Sequence, residues 1–199
     1  MITPETRQLQ GPNIPITSVA ISDKSGSPSV AIHDEQAAYD ATHHLLRLGH
    51  RRFGLLEGDP ASIYVAQPRK RGYLRVMTKP NARPSRHRQL LLRKTQPSVD
   101  ELLRQEPVLT ANLAMSDEMG AAVVNELQRR GHQVPEDVSV LGFDNNSTSR
   151  HVNPPLNTIV QPLEDMGRMV VKKLLRSRDL GPKIMPHRLI DRGSASCLS

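Results

Sequence analysis

From Val134 to Asn145 the chain reads VPEDVSVLGFDN, a turn followed by a nearly unbroken apolar run that ends in a carboxylate. Pro135 fixes its own φ and pushes Val134 toward extended geometry, so any helix before it must already have stopped. Val138, Val140, Leu141 and Phe143 then form the short apolar run of a strand covered on both faces. Such a strand requires a layer above and a layer below, which is the arrangement of a parallel α/β sheet. Asp144 and Asn145 sit where the strand leaves the sheet, the end at which open α/β sheets bind ligands. Capping a turn is the other use of an Asp at that place.

The rest of the chain alternates strand and helix in the same way. Ile14 to Ile21 reads as a strand, followed by a Ser/Gly/Pro loop from Ser22 to Ser29. Asp34 to Leu48 reads as a helix, with Asp34 and Glu35 at its positive end and Gly49 just past its stop. Ala37, Ala41, Leu45 and Leu48 make one face of it. Arg52 to Glu57 is a short strand, and a helix from Pro68 to Thr78 stops before Pro80. Gln89 to Leu92 fits a strand and Ser98 to Gln105 a helix. Leu109 to Met115 is a strand, after which Ser116 caps a helix running to Arg130, with Asp117 and Glu118 in its first turn and Gly131 beyond. Leu163 to Arg176 is a helix with Leu163, Met166, Val170 and Leu174 in a stripe, and Ile184 to Asp191 closes the pattern as a strand.

Charge is distributed unevenly. Ten cations lie between Pro60 and Val99 with no Asp or Glu among them, and setting them aside turns the formal +7 of the chain into −3. Such a block attracts nucleic acid without reading sequence, or is simply a solvated helix and connection. Pro80, Pro84 and Pro97, and the lack of interleaved aromatics, favour the second reading. Tyr39, Phe53, Tyr64, Tyr73 and Phe143 are the only aromatics, so a stacking platform for bases is hard to build. The single Cys197 allows no internal disulfide. No stretch has membrane-spanning length, and residues 1–10 lack a secretory apolar core, so a cytoplasmic location is expected.

Catalytic motifs are absent: no G-x-G-x-x-G, G-x-x-x-x-G-K-[ST], G-x-S-x-G or H-E-x-x-H occurs. His43 and His44 are adjacent helix positions and cannot both face one metal. The sequence therefore predicts no enzyme, no cofactor and no metal site.

Four segments in order resemble the effector-binding core of the LacI/GalR family of bacterial transcriptional regulators. They are DEQAAYDATHHLLRLGHRRF (34–53), AMSDEMGAAVVNELQRRG (114–131), VPEDVSVLGFDN (134–145) and PPLNTIVQPLEDMG (154–167), and RLIDRGS (188–194) agrees as well. The resemblance implies an α/β, periplasmic-binding-protein-like (type I) fold with a parallel sheet and crossover helices. In the family, two subdomains hold a small effector between them, and a separate helix-turn-helix reads operator DNA. It further implies that the headpiece is absent from this chain, that the C-terminal subdomain is nearly complete and that the N-terminal one is mostly missing. The expected division is 1–32 as a remnant of the N-terminal subdomain and 33–160 as the effector-binding subdomain. Residues 161–180 would be a helix of the first subdomain, and 181–199 a closing strand and tail. The apolar face of that helix is expected to lack its covering sheet.

The resemblance also carries site residues across. Asp144 falls where the family places a carboxylate that accepts hydrogen bonds from ligand hydroxyl or N–H groups. Ser116 stands at a position often held by Asn, although it also reads as a helix cap. Gln67 stands where a ligand-gripping Arg is usual, and Arg69 matches a second basic position, with surface pairing to Asp59 as its alternative. Ala20 replaces an Asp that often ends the preceding strand. Gln161 matches a polar position lining the hinge side of the cleft, or satisfies backbone groups at the crossover. His151, Val152, Asn153 and Pro154 match a dimer-contact region. The implied partners are a sugar-like or nucleoside-like effector, a second copy of the chain, and operator DNA only through a headpiece; no membrane is implied. The alternatives are the solute-binding protein of a transporter, a non-functional truncated regulator, and a module binding nucleic acid through Arg69 to Lys94.

Overall fold

The computed structural model describes residues 16–20, 28–57, 63–78, 90–91, 103–104, 108–175 and 181–198. They divide into two compact units, one formed by residues 34–160 with 188–199 and the other by 1–33 with 161–187.

The larger unit is built on six strands: β3 (Phe53–Glu57), β4 (Leu90–Leu91), β5 (Ala111–Ala114), β6 (Ser139–Asp144), β7 (Asn157–Val160) and β9 (Arg188–Ile190). Their spatial order is β4-β3-β5-β6-β7-β9, and every pairing is parallel except that of β9 with β7. The helices are α1 (Asp34–Arg47), α2 (Ile63–Met77), α3 (Asp117–Arg129) and the short α4 (Thr148–His151). Strands β3, β5 and β7 are buried along their whole length, as is β6 up to Phe143, because helices flank the sheet. Val123, Val124 and Leu127 of α3 pack with Leu56, Ala114, Val140 and Leu156 into one core, joined by Leu109, Val134 and Val138.

Local chemistry explains the helix ends. Gly49 has φ +96°, and Gly49 N–H and His50 N–H bond back to Leu46 and Leu45 carbonyls, closing α1. Ser116 has extended φ and its Oγ accepts Met119 N–H at 3.3 Å, starting α3. α1 and α2 meet at Gly72, where a Cβ would fall 2.1 Å from the Glu35 carbonyl oxygen. Only glycine lets the two backbones approach that closely.

The smaller unit has β1 (Ser18–Val19), β2 (Ser29–Ile32) and β8 (Pro182–Met185) in a parallel sheet ordered β1-β2-β8, with α5 (Leu163–Leu175) packed on β2 and β1. Of the expected stripe on α5, Met166 is buried and Val170 and Leu174 are half-buried, while Leu163 is 52 % exposed. Val171 and Leu175 are 55 % and 79 % exposed, so much of this helix's apolar surface faces solvent.

Several boundaries differ from the sequence reading. Strand β2 begins at Ser29, where a loop was expected to end. Four residues, SVAI, are too few for periodicity to register. The single closing strand expected from Ile184 to Asp191 is two strands in two sheets, parted at Pro186 and His187. Pro186 has no N–H to donate and interrupts the ladder there. Helix α2 starts at Ile63, not Pro68, and carries the proline inside it. The strand expected over 14–21 is described over residues 16–20, where only Ser18–Val19 is strand, and the helix expected over 98–105 lies outside the described residues except for Leu103 and Arg104, which are helical.

Candidate functional site at the carboxyl end of the central strands

Strands β5 and β6 end side by side, and α2 brings Arg69 across their ends. Arg69 is 5 % exposed, and each of its three guanidinium nitrogens donates a hydrogen bond. Nε donates to Asp34 Oδ1 at 2.7 Å, Nη1 to the Met115 carbonyl at 2.5 Å, and Nη2 to Asp144 Oδ1 at 3.1 Å. The group also lies 3.6 Å above the centre of the Phe143 ring. Planar, delocalised and weakly hydrated, guanidinium suits such a buried fork-and-stack position where an ammonium does not. One cation thus bridges two carboxylates. Asp144 is the member open to solvent, its side chain 26 % exposed against 8 % for Asp34.

The turn after β6 is unusual. Asp144 has φ +106° and Asn145 φ +58°, both in the left-handed region that L side chains rarely adopt. Three neighbours fix it. Asn146 N–H donates to Asp117 Oδ2 at 2.7 Å, the Asn146 amide donates to Glu118, and Arg192 donates to Asn145 Oδ1. Arg192 also reaches the Leu156 carbonyl at 3.0 Å and Ser149 Oγ at 3.2 Å. Burial pushes the Asp117 carboxyl up to about 6, against the opposing pull of Thr158 and of the Asn146 amide.

The sequence-derived candidates are not all gathered at one place. Asp144 and Arg69 are in direct contact, and Arg69 pairs with Asp34 and Asp144; Asp59, its expected surface partner, lies outside the described residues. Ser116 is at the end of β5, where its hydroxyl serves as the α3 cap. Gln67 is exposed on α2, two positions from Arg69 and therefore on a different side of the helix. Gln161, 8 % exposed, and Ala20, with φ +59°, belong to the smaller unit. His151, Val152 and Asn153 line a depression of about 540 Å³ together with Asn125, Gln128 and Thr148, and Pro154 follows it half-buried. Asp34, Phe143 and Asp117 were not singled out as site residues from sequence. Their roles depend on contacts between segments far apart in the chain, although Asp34 and Asp117 were legible as acids at helix starts.

The cationic block is partly neutralised where it is described. Lys70 pairs with Glu57 at 3.1 Å, and Arg71 and Arg75 share Glu35 at 2.9 and 3.2 Å. With Arg69, that engages four of its ten cations in ion pairs on α2. No cluster of metal-ligating side chains occurs among the described residues, and no described helix is long and apolar enough to cross a membrane.

A five-strand parallel run with helices on its faces and a charged corner at its carboxyl end defines a ligand-binding α/β domain. Residues 42–195 match the family described as periplasmic binding protein-like domain, and the chain belongs to that family. Catabolite control protein A of Priestia megaterium is 30% identical over 198 residues, covering 94% of this chain and 59% of that protein. The HTH-type transcriptional repressor CytR of Escherichia coli K12 is 32% identical over 184 residues, covering 86% of this chain and 52% of CytR. Among solved structures, the Lac repressor dimer bound to operator and the anti-inducer ONPF superposes with a TM-score of 0.82 at 26% identity, over 92% of this chain and 66% of that one. A LacI family transcriptional regulator from Silicibacter pomeroyi gives 0.81 at 26% identity, over 97% and 74%. The effector-binding core of LacI-type regulators is thus what this chain resembles. It spans about half the length of the curated relatives it matches.

Proposed function

We propose that this chain is the small-molecule-sensing core of a LacI/GalR-type transcriptional regulator, and that the Arg69–Asp144 corner is where its effector is recognised. The observation that supports this most is the buried guanidinium joining Asp34, Met115 and Asp144 at the carboxyl end of the sheet. Arg69 fixes one oxygen of Asp144, and the partial exposure of that side chain lets it accept hydrogen bonds from hydroxyl or N–H donors. A partly exposed carboxylate favours a ligand that brings hydroxyl or N–H donors over one that brings a phosphate or carboxylate, so a neutral sugar-like or nucleoside-like effector fits best. Such a sensor acts in the cytoplasm as a homodimer, with the His151–Pro154 surface in the contact. It meets operator DNA only through a helix-turn-helix, and effector binding biases that encounter through two-state coupling.

The test is calorimetry against a panel of neutral sugars, nucleosides and their phosphates. A neutral compound is expected to bind, and Asp144→Ala to abolish its binding while leaving the circular dichroism spectrum unchanged. Undiminished affinity in that variant, or a clear preference for phosphorylated compounds, would contradict the assignment.

A further inference from the structure

We propose that Asp117 is a positioning residue for this site: its carboxylate holds the Asp144–Asn146 turn in the left-handed shape in which Asp144 meets Arg69. The inference rests on the reading of Asp144 as the recognition carboxylate, and it adds the element that sets its geometry.

Asp117 is the first residue of α3 and fully buried, packed directly against β6. A Cβ on residue 142 would come 2.5 Å from Asp117 Oδ1, so Gly142 is what admits the carboxyl to this place. Its two oxygens reach the turn by separate routes. Oδ2 takes Asn146 N–H directly at 2.7 Å. Oδ1 takes the Thr158 hydroxyl at 2.6 Å, and Thr158 Oγ1 in turn accepts Asn145 N–H at 3.4 Å. One carboxylate therefore satisfies the backbone on both sides of the second left-handed bond pair, directly and through a hydroxyl relay. Two consecutive left-handed non-glycine residues are costly, and a conformation of that kind persists only where its surroundings dictate it.

The arrangement makes the turn sensitive to one proton. The ionised carboxylate accepts both bonds, and charge-assisted bonds of this type are the stronger kind. Once protonated, the carboxyl donates to Thr158 Oγ1, the hydroxyl must turn its own hydrogen elsewhere, and both amides lose their link to a charge. The groups facing Asp117 are Asp144 at the end of β6 and Glu118 beside it on α3, which favour the proton, and Arg192 after β9, which opposes it. With the carboxyl pushed up to about 6 by burial, the change falls within an accessible pH range.

The experiment is amide hydrogen exchange of the ligand-free chain between pH 7.5 and 5, corrected for intrinsic rates. Protection of Asn146 is expected to fall about fivefold as pH drops through 6, the difference between a charge-assisted and a neutral bond. Asp117→Asn should show the reduced protection at every pH and no step. Thr158→Val should loosen Asn145 more than Asn146. Glu118→Gln, which leaves the Asp117 carboxylate in place, should keep the step and move it to lower pH, because a charge that favours the Asp117 proton is gone. A flat wild-type profile, or a step that survives in Asp117→Asn, would overturn the proposal. If Asp117→Asn fails to fold, the wild-type profile and Thr158→Val decide. No ligand enters the measurement, so its failure and a failure of Asp144 to bind effector are separate results.

Discussion

The two units of the molecule use the same kinds of segment to opposite ends. In the larger unit, β3, β5 and β6 are buried, and the charged groups nearest them are matched by partners; Arg69, Asp34 and Asp144 form one bonded group. In the smaller unit, a three-stranded sheet carries α5 with Leu163, Val171 and Leu175 more than half exposed, and its Arg168–Glu164 pair lies at 75 and 80 % exposure. Amphipathic sequence makes a helix in both cases. What differs is whether the apolar face and the ion pairs are removed from water, and that decides how much each contributes to stability.

Truncating the two arginines gives the largest contrast. Arg69→Ala removes the buried guanidinium that bonds Asp34 and Asp144, and is expected to lower unfolding free energy by about 3–5 kcal/mol. Arg168→Ala should change it by less than about 0.5 kcal/mol, because water and salt already screen that pair. Urea titrations of both variants, followed by a probe in the larger unit, make the comparison; equal losses would erase it.

Leucines provide a second contrast. Leu127 on α3 is fully buried, so Leu127→Ala should cost about 2–5 kcal/mol through lost transfer energy and a residual cavity. Leu175, 79 % exposed, should cost within about 0.5 kcal/mol on the same change. Thermal denaturation of the pair reads this directly.

The pH dependence of the larger unit sharpens the picture from inside it. Asp117 is raised from 3.8 to about 6, so the folded state holds its proton more tightly than the unfolded chain. Its contribution is therefore favourable at low pH and is lost as pH rises from about 4 to 6, by roughly 3 kcal/mol at most. Burial lowers His44 and His50 instead, so they act in the opposite direction and remove stability as pH falls below the usual imidazole range. Denaturation midpoints for wild type and Asp117→Asn between pH 4 and 7.5 should converge at the acid end and separate toward neutrality. Parallel curves would argue against a raised Asp117.

The smallest effect concerns Asn112, fully buried in β5 with neither amide atom hydrogen-bonded among the described residues. Asn112→Leu should stabilise the chain by about 1 kcal/mol, since an unsatisfied amide is replaced by apolar volume. Loss of stability on that change would mean that the amide has a partner.

How far the sequence could be read follows the same division. Strands such as FGLLE and SVLGFD announce themselves, because burial on both faces requires an apolar run and turn residues mark its ends. SVAI was too short to stand out beside a Ser/Gly/Pro stretch, and Pro186 divides what looked like one strand. Asp144 was legible because its place depends only on the strand before it. The Arg69–Asp34 pair was not, because its partners are 35 residues apart and on different helices. Asp117 read as an acid suited to a helix start, and its hold on the next strand's turn exists only in three dimensions.

The central claim is that the Arg69–Asp144 corner receives a small neutral effector. The most direct measurement follows the Arg69 Nε–Hε resonance by NMR during titration with a neutral sugar or nucleoside that binds the chain. The account predicts saturable movement of that resonance together with the Asn145 and Asn146 amides, at the affinity found by calorimetry. Binding at that affinity with all three resonances unmoved would contradict it.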